Sequence, residues 1–358
     1  MNEFQILKLE DKDAWDAALN SLPPEQRDVY FTHNNYLLHQ EKGDGTAMCA
    51  VFRQGEHLAL NPFLLNKIND LGYRLEGDYY DIQGAYGYNG VATNCHEQDF
   101  INAFSSAWLA WAKQHNIVAE FIRYNPVLRN EQLCPWAPPI DVLDNVLIHL
   151  TNHEDIWKNS YDRGVRQAVH KAEKHNLAFT MQVGREIKDT VYAKFVELYI
   201  ETMQRRQADG FYFFNQDYFA KLREYLADYL LMVYVEYEGE IISIDLYLHN
   251  NISVYGFLSG TKSEYFKLSP NSLLRDETIK ALIDKGFKTY SIGGGLSRHD
   301  SVFKYKKSFS INNESQFYIG RRVHNDSVYN EIVAQWEDKL GEKTAEYKHL
   351  LLKYRYGL

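Results

Sequence analysis

The same order of elements occurs twice along this 358-residue chain. In each half, strands joined by short turns lead to an amphipathic helix and then to one more strand. A helix that leaves a hairpin and returns to a strand must cover a sheet face, which is the signature of an α+β layer architecture. In the first half, AMCAVFR and HLALNPFLL flank the turn QGE and read as a hairpin. The tyrosine- and glycine-rich YYDIQGAYGYNG follows. Phe100, Phe104, Trp108 and Trp111 then recur at helical spacing, and IVAEFIRY reads as a buried strand stopped by Asn125-Pro126.

The second half repeats that order at greater length. Thr151 and Glu154 suit a capping box, and a helix is expected from there towards His175, with Trp157, Tyr161, Val165 and Ala172 on its apolar side. A second helix carries Val191, Phe195, Leu198 and Thr202. A third starts at the N-cap Asn215. LLMVYVEY, IISIDLYLH and ISVYGFLSG read as three strands with hairpin connections. SPNSLLRDETIKALIDKGF is a helix capped by Ser269 or Asn271 and ended at Gly286, followed by the strand FKTYSIGGG. From Asp326 the chain reads as helix. The expectation is two related domains, 1–150 and 151–358, the second including the C-terminal helix. Each is a mixed, largely antiparallel sheet flanked by helices.

The formal net charge of −9 argues against a general nucleic-acid coat, which needs a broad basic surface. Three cysteines, Cys49, Cys95 and Cys134, form no C-x-x-C pair, so neither a disulfide framework nor a zinc motif is expected. HEQD and SRHD lack the H-E-x-x-H spacing, and no metal site is expected. The opening MNEFQILKLEDKD has no signal-peptide pattern, and no apolar run is long enough to span a membrane; a cytoplasmic protein is expected.

Several stretches can carry chemistry. Arg163, Arg166, His170 and Lys174 make a basic helical stripe, either a solvated face or a phosphate grip with Arg166 as the bidentate residue. Arg205 in ETMQRRQ precedes the aromatic cluster FYFF, where Tyr212 suits a cleft wall for a sugar or base. AYGYNG places Tyr86 and Tyr88 among small residues. In SIGGGLSRHDSVFKYKKSF the glycines do not make a dinucleotide fingerprint, and adjacent Ser297, His299 and Asp300 are poor evidence for a triad. As a strand, VFKYKKSF would alternate Phe303 and Tyr305 against Lys304 and Lys306.

These segments, with RGVRQAVHKAEKHNL, ETMQRRQADGFYFFNQDYFAKL and FLSGTKSEYFKLSPNSLL, resemble the FemABX-type acyltransferases, tandem-domain members of the GNAT superfamily. The resemblance covers most of the chain and is strongest from Ser160 to Phe309. It implies two tandem GNAT-like domains and N-acyl transfer from an activated donor to an amine of a cell-envelope or polysaccharide precursor. The best-known branch moves an amino acid from aminoacyl-tRNA onto a peptidoglycan precursor; other branches look acyl-CoA-dependent. The co-substrate is thus acyl-CoA or aminoacyl-tRNA, with no resident cofactor, and the acceptor a nucleotide- or lipid-linked saccharide or peptide.

The resemblance implies Tyr305 and Lys306 as the catalytic pair. It places Arg166, Arg205, Tyr212, Tyr86, Tyr88 and Lys304 towards the substrate, and Ser269, Asn271 and Ser272 on the donor. The coiled-coil arm common in the tRNA-dependent branch is absent from the pattern, and Lys267-Leu268-Ser269-Pro270-Asn271-Ser272 departs from the usual GNAT pyrophosphate loop. Glu264, His299 and Asp300 are candidate bases. The alternatives are an acyl-CoA-dependent acetyltransferase of an amino sugar and a non-catalytic saccharide- or partner-binding relative. The basic, aromatic YKHLLLKYRYGL suits either peripheral membrane contact or docking on its own domain.

Overall fold

The computed structural model describes residues 2–208 and 210–358, with the side chains of Phe211 and Glu314 outside the described part. Two compact units form: residues 1–142 with 317–358, and residues 143–316. The segment after 316, expected with the second domain, therefore packs into the first unit.

The first unit contains strands β1 (Asn2–Lys8), β2 (Thr46–Gln54), β3 (His57–Lys67), β4 (Tyr80–Gln83), β5 (Ala92–Thr93) and β6 (Ile117–Arg123), and most of β13 (Glu314–Val323). Their order is β1-β2-β3-β4-β6-β13, with β5 beside β3; only β4 and β6 run parallel. Its helices are α1 (Lys12–Asn20), α2 (His33–Glu41), α3 (Gln98–Gln114), α10 (Asp326–Leu340) and the short α11 (Thr344–Tyr347). The apolar face of α3 buries Phe100, Phe104 and Trp108 as its spacing predicts. Trp108 and Trp136 each donate an indole N–H to Glu120, which also meets His324, so this buried carboxylate is well supplied with partners.

The tail YKHLLLKYRYGL is tied down. Tyr354 and Arg355 both donate to the buried Asp81, and the Trp336 indole donates to the Tyr356 carbonyl. Leu352 and Tyr354 are buried, so these residues face their own core.

The second unit holds the rest of β7 (Pro139–His149), then β8 (Ala178–Val183), β9 (Leu230–Tyr237), β10 (Glu240–His249), β11 (Ser253–Thr261) and β12 (Thr289–Gly294), in the order β7-β12-β11-β10-β9-β8. All pairs are antiparallel except β11–β12. The helices are α4 (His153–Asp155), α5 (Arg163–Glu173), α6 (Asp189–Arg205), α7 (Gln216–Tyr225), α8 (Pro270–Asp284) and α9 (Ser301–Lys307).

Two local expectations are corrected. The helix expected from Thr151 to His175 is broken: α4 runs into a π-helical turn, Ile156–Ser160, and α5 restarts after Asp162. Asn152 and Asp162 each accept a backbone N–H and cap separate helices, overriding the continuous apolar pattern. VFKYKKSF is a helix, not a strand. Asp300 caps it by accepting from the Phe303 amide, so Tyr305 and Lys306 are set by helical rather than alternating geometry.

Candidate active site

The site lies in the second unit, where β11 and β12 part. The two strands pair only over Ser253–Tyr255 and Thr289–Ser291, although β11 continues to Thr261. Beyond that point β12 bends away to β7, with Gly293 opposite Val146 and Gly294 opposite Asn145.

The three glycines of SIGGG have separate reasons. Gly293 has a φ of +80°, a conformation costly for other residues. A Cβ on Gly294 would lie 2.5 Å from the Asp144 carbonyl oxygen, and one on Gly295 would lie 2.2 Å from an Asp300 carboxylate oxygen. The Asp300 carboxylate accepts from the amides of Leu296, Ser297 and Phe303. These bonds hold its pKa below the usual range. Asp300 thus organises the turn and caps α9.

A cavity of about 350 Å³ is lined by Ser269 to Ser272 at the start of α8, by Ser301, Val302 and Tyr305 of α9, and by Phe266 and Arg206. Ser269 precedes α8 in a left-handed conformation with no side-chain cap, and Pro270 occupies the first turn. Pro270 has no N–H and the Ser272 and Leu273 amides donate to the Ser269 carbonyl, so the start of α8 offers the Asn271 amide and a positive dipole potential. The Asn271 Oδ1 is engaged, accepting from Ser243 and Thr261 and stitching α8 to β10 and β11, although the residue lines the cavity.

Behind the cavity lies a buried polar cluster. The Arg275 guanidinium sits 5.6 Å from the Tyr305 ring centroid and 5.4 Å from that of Phe309, a cation–π sandwich. It also faces Asp245 at 3.9 Å and the Tyr290 hydroxyl at 3.5 Å. Tyr247 donates to Asp245 at 2.8 Å. Burial pushes the Asp245 carboxyl up, against the pull of Arg275. Burial likewise raises the Tyr305 phenol, whose buried hydroxyl lies near Arg275 and Ser272 without a well-formed hydrogen bond to either.

Lys306 is half-buried, and its Nζ donates to the Gly294 carbonyl at 2.7 Å. Burial, with Arg275 nearby, lowers its pKa to about 8, while Asp245 and Asp300 pull the other way. The ammonium is therefore close to a proton-exchange equilibrium near neutral pH.

Ser269, Asn271, Ser272 and Tyr305 thus line one cavity. Arg205 lies beside its wall, donating to the Thr261 carbonyl with its guanidinium 5.2 Å from the Phe266 ring. The Tyr212 carbonyl accepts from Tyr199. Lys304 and Glu264 are exposed, and the His299 ring packs on Phe303. Arg166 points its guanidinium at the carbonyls of Trp157 and Tyr161, so it closes the end of the π-helical turn. Tyr86 and Tyr88 belong to the first unit, where Tyr88 meets Tyr30 and Phe317 edge-on.

Sequence reasoning missed Arg206, Asp245 and Arg275. The latter two did leave a signal. A single Asp within the apolar strand IISIDLYLH, and a single Arg after two leucines in a helix buried on several faces, both require internal partners.

Residues 159–307 match the family described as acetyltransferase (GNAT) domain. No curated protein matches the chain. Among solved structures, the chain is similar to the crystal structure of FemX, at 15% identity over 92% of this chain and 99% of that one, with a TM-score of 0.66. It is also similar to the C-terminal domain of a putative lysylphosphatidylglycerol synthetase from Agrobacterium fabrum (12% identity, 93% and 96% covered, TM-score 0.55). L-PGS from Bacillus licheniformis has the same identity and TM-score, with 90% and 96% covered. At these identities the likeness is one of fold.

Proposed function

We propose, because residues 159–307 match an acetyltransferase (GNAT) domain and the fold is similar to that of FemX, that this chain is an N-acyltransferase that acylates an amine on a cell-envelope or polysaccharide precursor. The observation that carries this reading is the convergence of the uncapped α8 N-terminus, the buried Tyr305 hydroxyl and Arg206 on one cavity, with Lys306 one residue from Tyr305.

The helix N-terminus and Arg206 suit a phosphate-bearing donor, as both acyl-CoA and aminoacyl-tRNA are. The neutral acceptor amine attacks the ester or thioester carbonyl. Charge builds on the carbonyl oxygen, and its stabilisation is assigned in this reading to the Tyr305 hydroxyl and the Lys306 ammonium. The tetrahedral intermediate then expels the donor's alkoxide or thiolate, and the amine proton leaves to water. Direct transfer needs no protein nucleophile, and all three cysteines are buried. The name lysylphosphatidylglycerol synthetase among the relatives of similar fold favours an aminoacyl group; the acidic net charge favours the smaller acyl-CoA. Among the described residues no helix is long and apolar enough to cross a membrane. A donor of either kind would favour a reaction in the cytoplasm.

The test is amide formation followed by mass spectrometry. Acyl-CoA thioesters and aminoacyl-tRNA serve as donors, and nucleotide-linked amino sugars and muropeptides as acceptors. Lys306→Met is expected to lower turnover by about 100-fold or more, the scale of losing one oxyanion partner. Tyr305→Phe should lower it with the fold intact, since the hydroxyl it removes makes no well-formed internal hydrogen bond. Unchanged turnover in both variants would sink the site. Absence of transfer and of any thermal shift with every donor would sink the function.

A further inference from the structure

We propose that the first unit binds one zinc-class divalent metal ion at His57, Cys95 and Glu97. One ligand atom from each residue lies within 4.8 Å of the other two, the one such group of three among the described residues. It is a mixed nitrogen, sulfur and oxygen set. That combination suits a borderline-soft ion such as Zn²⁺ better than Mg²⁺ or Ca²⁺, which prefer all-oxygen shells.

Local structure brings the three together for reasons that can be traced. β5 runs antiparallel to β3 with Ala59 opposite Thr93, so the chain leaving β5 towards Cys95 runs back alongside the start of β3 at His57. Asn94 reinforces it: its side chain accepts from the Leu58 amide and donates to the Glu56 carbonyl. The Thr93 hydroxyl accepts from the Cys95 amide. The thiol is buried and fixed, while His57 is half-buried and Glu97 exposed, so an ion has an entry path from solvent.

Glu97 supplies an independent observation. It is the N-cap residue of α3, and its carboxylate makes no cap hydrogen bond with the first-turn amides. It lies instead beside the imidazole and the thiol. No hydrogen-bond partner holds the side chains of His57, Cys95 or Glu97 among the described residues.

Around a tetrahedral zinc, ligand atoms sit roughly 3.3–3.6 Å apart, given Zn–S near 2.3 Å and Zn–N or Zn–O near 2.0–2.2 Å. The ligand atoms here lie within 4.8 Å of one another, so closing on an ion requires the side chains to draw together, and Glu97 is the exposed one of the three. Binding displaces the thiol proton: Cys–SH and M²⁺ give a thiolate–metal bond and H⁺. Thiolate, carboxylate and neutral imidazole then balance a dication, so the assembly carries no net charge. The ion would clip the start of β3 to the start of α3, with a fourth position left for water.

The test uses the full chain, stripped with a chelator and titrated with Co²⁺ alone. One equivalent should bind with a thiolate-to-cobalt charge-transfer band, and Zn²⁺ should displace it. Cys95→Ser should abolish the band. Glu97→Gln, at an exposed position that leaves folding intact, should weaken binding by at least about tenfold. Zn²⁺ should also raise the melting temperature of the wild type. Co²⁺ binding without the band, a band that survives Cys95→Ser, or affinity unchanged in Glu97→Gln would each overturn the site. None of these readouts depends on acyl transfer.

Discussion

Lys306 has the most specific pH behaviour of any residue in the candidate site. Its pKa of about 8 reflects burial and the neighbouring Arg275, so the folded protein loses this charge as pH rises through 8. If the ammonium stabilises the oxyanion, turnover should fall on that alkaline limb, and Lys306→Arg should move the limb far upward, because a guanidinium stays charged. Stability moves the opposite way. An unfolded lysine titrates near 10.4, so between about 8 and 10.4 the unfolded chain binds more protons and this group's contribution to stability rises with pH. Lys306→Met should flatten that part of the urea-midpoint profile; an unaltered profile would mean the side chain is not held as described. Arg166 behaves differently. It donates to two carbonyls of its own turn, so Arg166→Met should cost about 1.5–3 kcal/mol in chemical denaturation and leave KM unchanged.

At the scale of elements, a seven-residue helix is delivered by one capping aspartate. Asp300 holds three amides, and its carboxylate fills the space above Gly295. Asp300→Ala should lower stability by about 1–2 kcal/mol, as a lost N-cap does, and should weaken transfer more than the exposed Lys304→Ala does. Equal activity in the two variants would separate the cap from the site. The depressed Asp300 pKa adds a sign. Its stabilising contribution is complete above the unfolded value near 3.9 and is lost as pH falls through the lower folded value. α6 and β11 show the same economy of contact: a Cβ on Gly260 would come within 2.5 Å of the Leu198 backbone, so helix and strand meet there with no side chain between them.

The whole molecule is threaded so that the first unit begins and ends the chain. β13 pairs with β6, and α10 buries Val328, Ile332 and Trp336 against Ile68, Tyr73 and Val118. A chain cut after Gln316 loses that strand, that helix and both Asp81 partners, leaving a buried carboxylate without its arginine. Such a truncation should leave the first unit unfolded, read as rapid proteolysis of residues 1–142; protease resistance there would contradict the packing described.

The fold class was legible in sequence, because it rests on local periodicity, on turns and on a repeated order of elements, all properties of neighbouring residues; the likeness to a GNAT domain, matched over residues 159–307, came from resemblance. Most helices and strands stand where that periodicity put them. The failures were also local: alternation in VFKYKKSF imitates a strand, while the capping Asp300 at its start, readable in retrospect, makes it a helix. Tyr305 and Lys306 came from resemblance. Their surroundings did not. Whether Arg166 meets a ligand or a carbonyl, whether Asn271 caps a helix or ties two strands, and that Arg275, Asp245 and Tyr305 share one buried cluster are matters of which distant segments touch. One-dimensional spacing does not contain that information, because burial and pairing across a sheet are set by tertiary packing.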